Sequence, residues 1–194
     1  MRLVIGISGA SGVIYGIRAL EILKKLGAET HLILTEAARE TIRLETDRNV
    51  AQVEGLATEV HMIGDITSRL ASGSYQTDGM AVIPCSMKTL SGVASGYADN
   101  LLLRAAEVTL KERRRLVLVA RETPLTLIDL ENMVTASRAG AIILPAMPAF
   151  YQRPKTINDI VDQVTGKTLD LLGVEHGIPT EWKGPNASKR RGKA

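Results

Sequence analysis

Short runs of apolar residues alternate with longer stretches in which apolar positions recur at helical spacing. Leu3–Ile7, Thr30–Leu34, Met80–Ile83, Leu116–Val119 and Ala141–Leu144 are runs of the kind that strands buried on both faces show. Val60–Ile63 reads as one further short strand. Between them, Val13–Leu26 places Ile17, Leu20 and Leu23 on one helical face, with Gly27 just past its end. Helices are also expected at Glu36–Glu45, Val50–Ala57, Ser91–Ala94, Leu101–Arg113, Leu125–Arg138 and Ile157–Leu172. Strand and helix in regular alternation predict an α/β fold with a doubly wound, mainly parallel sheet between two helical layers.

Composition narrows this picture. A chain of 194 residues, 45% hydrophobic, suffices for one domain with a real core, and no apolar run approaches the ~20 residues of a membrane span. The N-terminus enters a strand at once with no basic, apolar leader, and Cys85 is the single cysteine. Both features point to a cytoplasmic protein without disulfides. The net charge is +3, yet Lys183, Lys189, Arg190, Arg191 and Lys193 lie in a final segment without acids, so the body carries 3 − 5 = −2. Residues 1–182 therefore read as a single domain and 183–194 as a basic, disordered tail without aromatic residues for base stacking. Neither a nucleic-acid partner nor a membrane is expected.

Candidate chemistry clusters where strands meet helices. Pro84-Cys85-Ser86-Met87-Lys88-Thr89 follows an apolar strand and leads into a helix, so Ser86 and Thr89 stand where an open α/β sheet binds ligands. Unpartnered amides and a positive helix end suit a phosphate or the polar edge of a flavin there. The turn Gly6-Ile7-Ser8-Gly9-Ala10-Ser11-Gly12 has the same strand-to-helix setting. Its glycine spacing is not that of dinucleotide folds, and the second strand ends in Thr35 rather than an acid for a ribose. A mononucleotide such as FMN fits better than NAD, and a tight packing turn is the plain alternative. Arg104, Glu107 and Lys111 share a helix face, where Glu107 and Lys111 have the spacing of a solvent-facing ion pair. Arg121-Glu122 ends an apolar strand, facing either a ligand or each other. Cys85 reads as a small buried residue, and His31, His61 and His176 as scattered singletons that give no support for a metal site.

The ordered series from Pro84–Gly92 through Asn100–Glu107 and Leu110–Arg113 to Leu116–Pro124 resembles the flavin prenyltransferase family, in the branch accompanying phenolic-acid decarboxylases. The resemblance runs from about Arg2 to about Trp182. It implies a three-layer flavodoxin-like or Rossmann-like sandwich and transfer of a dimethylallyl group from dimethylallyl phosphate to N5 and C6 of reduced FMN, without a metal. It also implies a homo-oligomer, often a dodecamer, with sites shared between subunits, and a separate decarboxylase of unsaturated aromatic acids that receives prenylated FMN. By resemblance, Gly9, Ala10, Ser11, Thr35, Ser86, Met87, Lys88, Thr89 and Arg121 contact FMN. Arg104, Lys111, Tyr151 and Lys167 hold the donor phosphate. Ser11, Glu45, Lys111 and Glu122 act in catalysis. The chain departs from the family pattern at Lys167, where an arginine is common, at Asp129, where a histidine is usual, and at Ile66, where some members have an aromatic. The alternatives are an FMN-dependent cysteine-type decarboxylase, whose catalytic His and Asn-bearing motif are not found, and a non-enzymatic FMN carrier or decarboxylase subunit. A carrier has no use for Glu45, Lys111, Glu122 and Tyr151 together.

Overall fold

A computed structural model describes residues 1–182; the basic tail expected at 183–194 lies outside the described residues. Six parallel strands, β1 (Arg2–Ile7), β2 (Glu29–Leu34), β3 (Glu59–His61), β4 (Gly79–Cys85), β5 (Arg115–Ala120) and β6 (Ile142–Ile143), form one sheet in the order β3-β2-β1-β4-β5-β6. The helices are α1 (Val13–Lys25), α2 (Glu36–Glu45), α3 (Val50–Glu54), α4 (Met87–Ser95), α5 (Leu101–Lys111), α6 (Leu127–Arg138) and α7 (Ile157–Leu172).

Period-two alternation along buried strands builds two cores. Leu3, Ile5 and Ile7 face one side with Leu32, Leu34, Ala81, Ile83, Val117 and Val119, and α1, α2, α3 and α7 cover them. Val4, Ile33, Met80, Val82, Leu116 and Leu118 face the other side, under α4, α5 and α6. Both faces being apolar is why these strands read as continuous hydrophobic runs. The expected three-layer, doubly wound sandwich is the observed fold. The order places the topological switch between β1 and β4, the crevice where such sheets take ligands.

Local chemistry moves some expected boundaries. The helix read at Ser91–Ala94 is longer and starts at Met87, because the Ser86 hydroxyl accepts the Thr89 amide at 3.3 Å and caps it. Helix α6 starts at Leu127 rather than Leu125, behind a capping box in which Asp129 accepts from the Thr126 amide at 2.9 Å and hydroxyl at 2.7 Å. Asp129 thus has a structural task that a histidine would not perform. The last strand shrinks to two residues at the sheet edge. Among the described residues, no helix is long and apolar enough to cross a membrane.

Candidate flavin and phosphate site

The loops after β1 and β4 are tied together at the switch. Ser8, fully buried, donates its hydroxyl to the Pro84 carbonyl at 2.9 Å and accepts from the Ser86 amide at 2.8 Å. Sequence reading missed this role, because Ser8 and Pro84 are 76 positions apart and meet only when the chain folds back. Beside the bridge lies a cavity of about 630 Å³, lined by Ser8, Gly9, Thr35, Ser86, Lys88 and Thr89 among others. Its size is that of small-molecule sites, which run ~300–1,000 Å³. Gly9 is required there, since a Cβ would come within 2.3 Å of the Ala37 Cβ. Thr35 caps α2 by accepting from the Ala38 amide at 3.1 Å, so its hydroxyl hydrogen stays available. Met87 packs on the core beneath α4 and does not line this cavity, whereas Lys88 is exposed and does. Three of the four expected FMN contacts after β4, Ser86, Lys88 and Thr89, thus meet Gly9 and Thr35 at one sheet edge.

The turn before α1 differs from expectation. Gly12 has φ 99°, and the Glu45 carboxylate accepts from the Gly12 amide at 2.8 Å and the Val13 amide at 3.3 Å. The helix amides read as a phosphate seat are therefore held by a carboxylate from the end of α2, which the positive helix end stabilises. The arrangement brings Glu45 to the loop carrying exposed Ser11, a proximity that 33 residues of sequence separation conceal. Ala10 is buried beneath this turn.

Arg121 continues the same edge. Its amide donates to the Cys85 carbonyl at 3.1 Å, immediately beside Ser86. Arg121, Glu122, Met133, Pro145 and Met147 line a cavity of about 260 Å³. Pro145 and Met147 also wall a cavity of about 150 Å³ that contains Tyr151, Gln163 and Lys167. Among the described residues, no carboxylate lies within ion-pair distance of Arg121 or Lys167, so the Arg121–Glu122 ion pair left open by the sequence is not formed. Tyr151 is flanked by Trp182, ring centroids 6.4 Å apart. The structure thus gathers Arg121, Glu122, Tyr151 and Lys167 around the segment 145–147.

Arg104 and Lys111 do not join them within one chain. Arg104 pairs with Glu107 at 2.8 Å and donates to the Ala71 carbonyl at 3.2 Å. Lys111 pairs with its neighbour Glu112 at 2.6 Å, not with Glu107 as the helical spacing suggests. Helix α5 runs antiparallel to the strands, and Lys111 sits where β5 begins. Strand rise puts about 20 Å between Arg114 and Arg121, so Lys111 lies toward the opposite edge from Glu122.

Cys85 is fully buried, and burial pushes its thiol up to about 12. The native protein is expected to resist alkylation by iodoacetamide at pH 8 and to react on unfolding in urea, read by mass; fast labelling of the folded chain would contradict the inert assignment. The histidines are not all isolated: His31 Nδ1 and His61 Nε2 stand 2.9 Å apart next to Glu59. Parallel pairing of β2 with β3 makes that contact. Burial pushes both imidazoles below their ordinary value.

Comparison with known proteins agrees with this geometry. The family model described as Flavoprotein matches residues 1–169. The flavin prenyltransferase UbiX of Thauera aromatica is 51% identical over 184 residues, covering 95% of each chain. A solved structure of AnUbiX in complex with FMN and dimethylallyl pyrophosphate superposes with TM-score 0.92 at 49% identity, covering 94% of this chain and 97% of that one. The dodecameric FMN-dependent UbiX-like decarboxylase of Escherichia coli O157:H7 also gives 0.92, at 48% identity, over 95% of this chain and 100% of that one. With its strand-end cradle, and with half its residues shared across nearly the whole length of such relatives, the chain belongs to the flavin prenyltransferases of the flavoprotein family.

Proposed function

We propose that the protein transfers a dimethylallyl group from dimethylallyl phosphate to reduced FMN, in the cytoplasm, and that a separate decarboxylase of unsaturated aromatic acids uses the product. The observation that carries this reading is the continuity of the edge. A glycine- and hydroxyl-lined cradle at the switch point adjoins Arg121, Glu122, Tyr151 and Lys167, with both basic groups free of carboxylates among the described residues.

The cradle fits FMN. The amides at the start of α4 and the hydroxyls of Thr35, Ser86 and Thr89 offer donors to a polar ring edge and a phosphate. Reduced FMN supplies the nucleophilic N5 and C6 that the prenyl carbons join. The chain's own residues supply placement and charge. Arg121, on the strand end beside Ser86, bridges the flavin cradle to the donor cavity. Lys167 and Tyr151 present a cation and a phenol to the donor phosphate, and the cations stabilise the negative charge that grows on it as the C–O bond breaks. Glu122, exposed at the cavity mouth, exchanges a proton with the departing phosphate. Glu45 and Ser11, brought together at the α1 turn, are assigned to the flavin side of the reaction.

The site is completed by other subunits. Arg104 and Lys111 join it in trans, in a homo-oligomer of twelve chains. Helix α6 leaves Leu127, Ile128, Leu130 and Val134 exposed, and Met147, Phe150 and Ile157 are exposed near the cavities. So much open apolar surface calls for a protein partner, and copies of this chain supply it.

Anaerobic incubation with FMN, a reductant and dimethylallyl phosphate is expected to give flavin heavier by one prenyl unit. Unchanged flavin mass with both the monophosphate and the diphosphate donor would favour the carrier reading. Equilibrium dialysis is expected to show about one FMN per chain and no retention of NAD, because β2 is followed by Thr35 rather than by an acid that would hold the adenosine ribose. Tight NAD binding without FMN binding would remove the cradle assignment.

A further inference from the structure

We propose that His31, His61 and Glu59 form a binding site for one zinc-class divalent ion at the β2–β3 edge of the sheet. The inference is independent of prenyl transfer. Two imidazoles and one carboxylate offer one ligand atom each within 4.8 Å of one another. His31 Nδ1 and His61 Nε2 are 2.9 Å apart, and Glu59 places its two oxygens 3.6 Å from these two nitrogens. Ligands around a tetrahedral zinc, bonded at 2.0–2.1 Å, stand about 3.3 Å apart, so small adjustments open the cluster around an ion. Nitrogen donors with a single carboxylate select zinc-class metals over magnesium or calcium.

The outer contacts already orient both rings. His31 Nε2 lies 3.2 Å from Glu29 Oε1, and Glu29 is paired with Arg2 at 2.7 Å. An ionised carboxylate only accepts, so His31 carries its hydrogen on Nε2 and turns the bare lone pair of Nδ1 inward. The Tyr75 hydroxyl flanks the same nitrogen at 3.0 Å. On the other ring, His61 Nδ1 is 2.9 Å from Ser68 Oγ. Without an ion, Ser68 donates to His61 Nδ1, and His61 Nε2–H donates to His31. With an ion, the His61 hydrogen moves to Nδ1 and is accepted by Ser68 Oγ, and both inward lone pairs bind metal. The exchange needs only a tautomer shift and rotation of one hydroxyl, with no net proton lost. Carboxylate and hydroxyl partners on the outer nitrogens are the supports that ligating histidines use.

Arg69 pairs with Glu59 and lies over the Tyr75 ring. Its side chain is half exposed, so it can turn to water when the ion takes Glu59. The rings themselves are buried, while Glu59 is partly exposed, so an ion would enter from its side and take water as a fourth ligand there. The ion would fasten β3, a three-residue edge strand paired only with β2, and with it the following Ile63, which lines the flavin cradle.

Untagged protein, stripped with a chelator, is titrated with zinc by calorimetry and with cobalt as an optical probe. One ion per chain, intense visible cobalt bands of tetrahedral type and a raised melting temperature are expected. Glu59→Gln changes a partly exposed side chain, so the fold survives; ion affinity should fall by about 100-fold or more, and in Ser68→Ala by about 10–100-fold. Absence of stoichiometric binding in the wild type, or binding that both substitutions leave unchanged, would overturn the assignment.

Discussion

Replacing Lys111 with alanine is expected to slow prenyl transfer by about 10²–10³-fold while FMN binding is retained. Removal of one preorganised group that meets developing charge has that cost, roughly 3–4 kcal/mol in the barrier. The structure sharpens the test. Lys111 lies toward the opposite sheet edge from Glu122 in the same chain, so the proposed role requires its contribution to come from another subunit. Co-expression of Lys111→Ala with Glu122→Gln chains should then restore activity. In randomly mixed oligomers, about a quarter of the sites receive both intact residues. Single-turnover assays on the variants and on the mixture read this directly. A mixture no more active than its parents would place Lys111 outside the site, in a surface pair with Glu112.

Glu122→Gln alone is expected to lose a comparable 10²–10³-fold in single-turnover rate with unchanged FMN affinity. The amide keeps the size of the carboxylate and can still bond the Thr123 amide, which Glu122 accepts at 3.0 Å. It cannot exchange a proton at neutral pH, so binding and turnover separate. Prenylation by Glu122→Gln at the wild-type rate would assign proton handling to another group, and Glu45 beside Ser11 is the next candidate.

The strand-to-helix junction after β4 was readable from sequence because its parts are local. Ser86 and Thr89 are three residues apart, and the strand before them and the helix after them announce themselves by period. The same holds for Arg121-Glu122 at the end of β5 and for Gly9 in the first turn. Helix starts were less readable, because they depend on which hydroxyl caps: Ser86 and Thr126 moved α4 and α6 from their expected limits. The Glu107–Lys111 pair failed because Glu107 had a second partner within reach, Arg104, while Lys111 found Glu112.

By itself the sequence determined the layered α/β architecture and a mononucleotide rather than a dinucleotide as the cofactor. Each follows from interactions over a few residues, which periodicity and turn chemistry record. Only the tertiary structure decided the strand order and hence the switch point between β1 and β4. It alone brought Glu45 onto the α1 amides, bridged Pro84 and Ser86 through Ser8, and joined His31 to His61. It also set Lys111 apart from the groups it was expected to join. These contacts span tens of residues, and parallel pairing fixes them through register: His31 lies opposite Glu59, and Ile33 opposite His61, only once β3 docks on β2.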